Sequence, residues 1–395
     1  MKKIRSFWGA HWRAISATVA AVAVAGFLLL YRLGSLTGTL SRGELAQQAF
    51  AGSWHHIASN PLNLPLTGLQ WLALTALGHG HTVTRLPSVA LGLLALFAFA
   101  YVLRRWYGVR TAFFGTVMFA TAGWLLHVSR YAGYEVLYLW AVPTLLALHI
   151  AWERHSKNAW ATFSAMLLIA LLLYIPGFFW LVLVVLGLQY QHLLDGWKNL
   201  NKIWLRILLI FVFLLALAPL AAAIARHPSL AQSWLGLPHN FSDPGEIPRR
   251  LAQTVSFLIW RGPLTPALWL DRLPVLSIFA AAMALLGVLF YAKHWQAPRT
   301  RLLAGTFIIG AVFYALGGPV GFSVLIPIIY LVIAGGVGYL LHEWLRVFPR
   351  NPLARAVGYT LIAFLIGLNC LYTLRSYYIA WPHSPATKAA FRNQG

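Results

Sequence analysis

The chain is a series of apolar runs, each roughly 17 to 22 residues long and closed by Arg, Lys, Trp or Tyr. That is the length a helix needs to cross the hydrocarbon core of a bilayer, with the residues that anchor helices at its two surfaces. The runs are Ala14–Tyr31, Leu86–Leu103, Thr111–Val128, Val136–Trp152, Trp160–Tyr174, Gly177–Leu194, Ile203–Ile224, Pro274–Tyr291, Leu302–Leu316, Val320–Leu341 and Ala356–Leu374. The expected fold class is therefore an all-α integral membrane protein with about 11 transmembrane helices. A content of 60% hydrophobic and 10% charged residues over 395 positions excludes an ordinary soluble domain. The first run follows the basic, aromatic stretch Met1 to Arg13. It reads as an uncleaved span, because its apolar length exceeds a usual secretory signal core and many spans follow.

Charge fixes an orientation. Every short loop assigned inside carries at least two Lys or Arg, which puts the N-terminus inside under the positive-inside rule. Outer loops then fall at 34–85, 129–135 and 225–272 of a membrane domain covering 1–375, and a C-terminal tail, 376–395, ends outside. The first and third of these loops mix polar residues with Trp and Leu and read as short helices lying in the interface. Lys157, Lys198 and Arg350 are expected on the inner face, and the loop around Asp243 on the outer. The net charge of +22 does not point to nucleic acid, because the basic residues stand singly at span ends and form no stripe or arm. Cys370 is the single cysteine and can form no intrachain disulfide.

Against 30 Lys+Arg the chain keeps 8 Asp+Glu, so each carboxylate invites a reason. Glu44 stands in the polar interruption Thr39 to Leu45, and Glu135 follows Ser129-Arg130-Tyr131-Ala132-Gly133-Tyr134. Both fall on the outer face, and both are expected to approach each other. The competing reading is a solvated loop acid. His55-His56 and His79-Gly80-His81 lack a Cys or further carboxylate at ligand spacing, and no metal site is assigned to them.

The order Glu44, Asn63-Leu64-Pro65-Leu66, Leu77-Gly78, Arg85-Leu86-Pro87-Ser88, Arg104-Arg105, Tyr107-Gly108 and Ser129-Arg130 resembles polytopic GT-C glycosyltransferases of the protein O-mannosyltransferase and aminoarabinose-transferase type. Gly262-Pro263 through Leu270-Asp271 and the span containing Pro327 look like the second half of that family. The sequence departs from it at Gly43, where the family commonly carries a second acid. The resemblance implies a GT-C-like fold and transfer of a sugar from a polyprenyl-phosphate donor to a lipid, glycan or protein acceptor, within the plasma or inner membrane and on its outer face. It implies a hexosyl- or pentosyltransferase, assigns no cofactor with certainty and leaves room for a divalent cation.

Such a reaction needs a base near the attacking hydroxyl and positive charge near the leaving phosphate. Glu44 and Glu135 are the candidate catalytic pair. Arg42, Arg85 and Arg130 are the candidate phosphate ligands, each with the plainer alternative of an interface anchor. Tyr131, Tyr134 and Asp271 are candidate substrate contacts. A lipid or glycan transporter without transfer chemistry, or an inactive scaffold relative, is the alternative function. A transporter would place ionisable groups within its spans, and these spans are nearly free of charge.

Overall fold

The computed structural model describes residues 19–155, 158–188, 190, 197, 203–240 and 245–392, and among these there is no β-strand. Lys157, Asp195, Lys198, Lys202 and Asp243, with the basic N-terminal flank, lie outside the described residues. Helices are what apolar chains form where no water is present to satisfy backbone N–H and C=O groups. The first half comprises α1 (Val19–Leu30), α2 (Arg42–Ala51), α3 (Trp54–Ser59), α4 (Leu64–Leu77), α5 (His81–Tyr107), α6 (Val109–Ala120), α7 (Gly123–Ser129), α8 (Glu135–His155), α9 (Ala159–Leu172) and α10 (Phe178–Leu188). The second half comprises α11 (Ile203–Arg226), α12 (Ser229–Trp234), α13 (Glu246–Ile259), α14 (Ile278–Lys293), α15 (Pro298–Ala315), α16 (Ile326–Val347), α17 (Pro352–Arg375) and α18 (Pro385–Ala390).

Among the described residues five helical stretches are long and apolar enough to cross a membrane: His81–Tyr107, Glu135–Trp152, Ile203–Arg226, Phe322–Val347 and Pro352–His383. A sixth forms if the bent pair α6 and α7 counts as one span. The chain is thus a helical membrane protein, and the described residues contain five or six full-length spans where hydropathy leads to an expectation of eleven over the whole chain. The expected run Thr111–Val128 bends by 59° between α6 and α7. The break falls at Ala122, whose ψ of 128° leaves the helical region, and the Trp269 ring packs against Gly123 just beyond it. Several other expected spans are shorter apolar helices, α1, α9, α10 and α14 among them. The hairpin around Pro176 forms as expected, with Gly177 at φ 72° turning the chain between α9 and α10.

The two ends of α11 and α17 frame the lipid-facing side, exposing Phe211, Leu214, Phe364 and Leu371. By contrast α8 and α16 are mostly buried. The α14 and α16 backbones nearly touch: a Cβ on Gly287 would lie 2.0 Å from the Val332 carbonyl oxygen, and one on Gly336 2.0 Å from that of Met283. Small residues let helices approach this closely where lipid offers no hydrophobic drive for association.

The 27-residue α5 is about 40 Å long at ~1.5 Å per residue. It sets Arg85 at one face of the bundle and Tyr107 at the other. The interfacial helices α2, α3 and α4 gather at the Arg85 end. So does the C-terminal segment, which folds back: the Phe391 ring is buried beneath Arg85, 5.9 Å from its guanidinium carbon, its carbonyl accepts from the Thr39 hydroxyl, and Trp381 Nε1 donates to Pro266 O at 3.0 Å. The expected tail is thereby part of the packed face.

Candidate active site

Ser41 starts α2. Its hydroxyl accepts the Glu44 N–H at 3.3 Å while its own N–H donates to Glu44 Oε2 at 3.0 Å. This reciprocal capping box satisfies two backbone donors that a helix start leaves unpaired, and it turns the Glu44 carboxylate inward. There Arg85 grips it with Nε on Oε1 at 2.7 Å and Nη2 on Oε2 at 2.8 Å. The Ala132 N–H adds a fourth bond to Oε1 at 3.2 Å. Arg85 spends its remaining donors on Leu33 O at 2.9 Å, Thr39 O at 3.1 Å and Thr37 Oγ1 at 3.2 Å. Glu44 is 0% exposed and Arg85 3%. A planar fork with all three nitrogens engaged and a carboxylate with four donors form a closed internal clamp.

The structure therefore brings Glu44 and Arg85 together as partners of one another. It ties α2, α5 and the 131–135 segment into one body. Glu44 meets the second loop at Ala132, through its carboxylate and a backbone N–H.

Arg130 is also buried, and its two terminal nitrogens are engaged within the chain. It is 4% exposed and donates to Leu28 O at 2.9 Å, Tyr31 O at 2.6 Å and the Tyr378 hydroxyl at 2.7 Å. Its guanidinium carbon stands 5.2 and 5.1 Å from the Tyr377 and Tyr378 ring centroids, within cation–π range. It staples α1 to the C-terminal segment. Arg42 is exposed at the first position of α2. Asp271 is exposed, holds φ at 44°, and accepts from Ser384 Oγ at 3.3 Å. It belongs to the contact with the C-terminal segment and lines no part of the cavity described next.

Glu135 is placed differently. It opens α8, where a helix N-terminus favours negative charge, and it accepts the Ser323 N–H at 3.0 Å from the short 3-10 turn Phe322–Val324. Trp124 Nε1 holds the Ser323 hydroxyl at 2.7 Å. The carboxylate rests on Gly321, where a Cβ would lie 2.5 Å from both oxygens, so only glycine admits it. Beside it opens a cavity of about 290 Å3 walled by Gly43, Gln47, Tyr131, Tyr134, Tyr138 and Gly321. Burial raises the Tyr131 phenol above its ordinary pKa, with the Glu44 carboxylate adding to the shift against the Ser41 hydrogen bond and the Arg85 charge. Burial raises Tyr134 as well. Both therefore stay neutral donors at neutral pH.

Two features escaped the sequence reading. The first explains Gly43, where the family pattern has a second acid. The Tyr131 hydroxyl stands 2.6 Å from where a Cβ at 43 would be and accepts from Ser41 Oγ at 3.0 Å. The phenol occupies the space of the missing side chain. Gly43→Asp is expected to push Tyr131 out of this bond and cost about 1–3 kcal/mol of stability, the usual range for overpacking, read as a lowered Tm in one fixed detergent. Restoration of the wild-type Tm by the double variant Gly43→Asp, Tyr131→Phe would trace the effect to the displaced hydroxyl; the same loss in both would exclude it.

The second is Arg250. It lies on α13, and its Nη1 sits 1.6 Å from where a Cβ on Gly317 would be. Gly317, at φ 73°, begins the 317–321 loop that supplies Pro319 and Gly321 to the cavity wall. Tyr314 is within electrostatic reach of both Arg250 and Glu135. In sequence Arg250 is one basic residue among several in a long loop, and nothing there marks it. Among the described residues no three His, Cys, Asp or Glu side chains converge, so the arrangement offers no ready ligand set for a divalent cation.

Two solved structures share this fold: ArnT from Cupriavidus metallidurans in the apo state, with TM-score 0.51, 13% identity, and 96% of this chain and 77% of that one covered, and the same protein bound to undecaprenyl phosphate, with TM-score 0.52, 13% identity and 95% and 76% covered. ArnT is an aminoarabinose transferase, so the fold implied by the resemblance is the fold found. No family model matches the sequence, and no curated protein matches it.

Proposed function

We propose that this protein is a membrane glycosyltransferase that takes a sugar from a polyprenyl-phosphate donor, with Glu135 as its base. The observation that carries the reading is the Glu135 carboxylate, propped by Ser323 on Gly321 and open to a cavity lined by two neutral tyrosines, within a fold shared with a protein solved with undecaprenyl phosphate. In the transfer step an acceptor hydroxyl oxygen attacks the anomeric carbon. The bond from that carbon to the phosphate oxygen breaks, and its electron pair stays on the phosphate. The acceptor proton passes to Glu135. Tyr131 and Tyr134 orient the sugar by hydrogen bonds and ring faces.

Negative charge growing on the leaving phosphate calls for a cation at the cavity rim, and Arg250, packed on the 317–321 loop that supplies part of the cavity wall, is the arginine assigned to it. Glu44, Arg85 and Arg130 act through position: they hold the 131–135 segment so that Glu135 and the tyrosines face one space. The acceptor is read as a hydroxyl-bearing lipid, glycan or protein segment reached from the outer face. A non-transferring carrier of the same lipid is the second reading, favoured by the absence of a second free carboxylate among the cavity-lining residues.

The test is incubation of the purified protein in lipid with a panel of radiolabelled polyprenyl-phosphate sugars and candidate acceptors, followed by identification of labelled product. Label moving from one donor to an acceptor supports transfer; tight donor binding without product supports the carrier. Arg250→Lys is expected to weaken donor binding about 10-fold or more, since the usual 1.5–3 kcal/mol for a charged hydrogen bond depends on a fork that lysine lacks. Unchanged binding at limiting donor would remove Arg250 from the site.

A further inference from the structure

The cavity beside Glu135 has one more polar wall, supplied by α2. Gly43 and Gln47 stand four residues apart on one face of that helix, and both line the cavity. Gln47 is 5% exposed, and Gln70, behind it on α4, is fully buried. Gln47 Nε2 donates to Gln70 Oε1 at 2.6 Å, and Gln70 Nε2 reaches the Thr84 carbonyl, in the first turn of α5, at 3.4 Å. Thr84 Oγ1 accepts from Gln48 Nε2 at 2.9 Å and donates to Gly80 O at 2.9 Å, so α2, α4 and α5 meet in one network.

The direction of these bonds is set at the far end. A backbone carbonyl only accepts, so Gln70 turns its Nε2 to Thr84 and its Oε1 to Gln47. Gln47 answers with Nε2, which leaves its Oε1 as the end directed at the cavity. That oxygen accepts from no described residue, and it is not among the unpartnered side-chain atoms sealed from solvent. An amide free to turn offers a ligand either a donor or an acceptor; held by Gln70, this one offers an acceptor alone. Tyr131 supplies the complement, because its hydroxyl accepts from Ser41 Oγ at 3.0 Å and keeps its own proton to give. At about 290 Å3 the cavity is near the lower limit of the ~300–1,000 Å3 usual for small-molecule sites, a size for a single sugar ring and not for a lipid tail.

We infer that Gln47 is a specificity-determining residue for the transferred sugar: its Oε1 accepts from a ring hydroxyl of a polyprenyl-phosphate-linked monosaccharide, and Gln70 is the positioning residue that fixes which end of the amide the sugar meets. This role rests on the transfer reading, with Glu135 taking the proton of the attacking hydroxyl and Gln47 reading a hydroxyl that does not react. A deoxy sugar would leave Gln47 Oε1 without a partner, the circumstance in which a site built for a hydroxyl rejects the analogue lacking it.

The test measures dissociation constants of undecaprenyl-phosphate-linked glucose, mannose and arabinose for the full-length protein in lipid nanodiscs, with undecaprenyl phosphate alone as the reference. Each monodeoxy analogue of the sugar bound most tightly is then measured in the same way. In the wild type, deoxygenation at one ring position is expected to weaken binding about 10-fold or more. Gln47→Met keeps the reach of the side chain and removes the acceptor, so the penalty at that one position should fall to within about twofold while the penalties at other positions persist. Gln70→Met lets the amide turn and should lower the same penalty without removing it; unchanged discrimination there would end its positioning role. A merely structural contact would weaken every sugar alike. Should Gln47→Met misfold, Gln47→Asn withdraws the oxygen by one methylene and should blunt the same penalty. Sugars bound no more tightly than undecaprenyl phosphate would sink the transfer reading and this role with it. A bound sugar whose deoxy penalties are the same in wild type and in every folded variant at position 47 would overturn the role of Gln47 alone.

Discussion

Arg85→Met should destabilise the protein by about 3–5 kcal/mol, the range for removing one partner of a buried ion pair and stranding the other. Glu44 would keep two backbone N–H donors, from Ser41 and Ala132, but lose both guanidinium contacts while remaining fully buried. The carbonyls of Leu33 and Thr39 would lose their donor as well. The measurement is the apparent Tm in a fixed detergent, with limited proteolysis between residues 31 and 41 as a local readout. Arg85→Lys should retain only part of the stability, because an ammonium reproduces one arm of the grip. Glu44→Gln, Arg85→Met together should recover some of the loss, since no charge is then left buried alone. A variant at Arg85 with wild-type Tm and proteolysis but weakened donor binding would return Arg85 to the role of phosphate ligand.

Glu135→Gln should leave the fold intact and lower turnover by about 10²–10⁴-fold, the usual contribution of a positioned general base. The amide is close in shape to the carboxylate, fits above Gly321, and keeps an oxygen to accept the Ser323 N–H. What it loses is the capacity to take a proton. Tm and donor binding should stay close to wild type, which separates this outcome from that of Arg85→Met. Activity within about threefold of wild type would set the base elsewhere, a smaller effect than any positioned base is known to give. Collapse of the fold would make Glu135 a structural cap of α8.

The two experiments divide the carboxylates by what surrounds them. Glu44 has its lone pairs taken by four donors from within the chain, whereas Glu135 opens onto a cavity with room for a substrate. On the proposed function, Glu135 is therefore the one assigned to proton transfer. The other fixes the loop from which the first is presented.

Local and pairwise physics was legible in the chain itself. Apolar runs bounded by basic and aromatic residues require membrane helices, because neither water nor open backbone is tolerated in lipid. The scarcity of acids singled out Glu44 and Glu135, and the interfacial helices α2, α3 and α4 came from the mixed polarity of residues 34–85. Ser41-Arg42-Gly43-Glu44 also contains its own capping box, a signal spaced three residues apart. Hydropathy alone could not fix how many runs span in full, since a backbone break such as that at Ala122 bends a run without altering its composition. The partner of Glu44 lies 41 residues away, and Phe391, beneath Arg85, lies some 300 residues further on. An isolated arginine at a span end reads identically whether it anchors to headgroups, binds phosphate or clamps a glutamate, and only the packed bundle chooses among them. Arg250 owes its place to a glycine loop far along the chain. Each depends on which surfaces meet, a choice made by packing over long sequence separation.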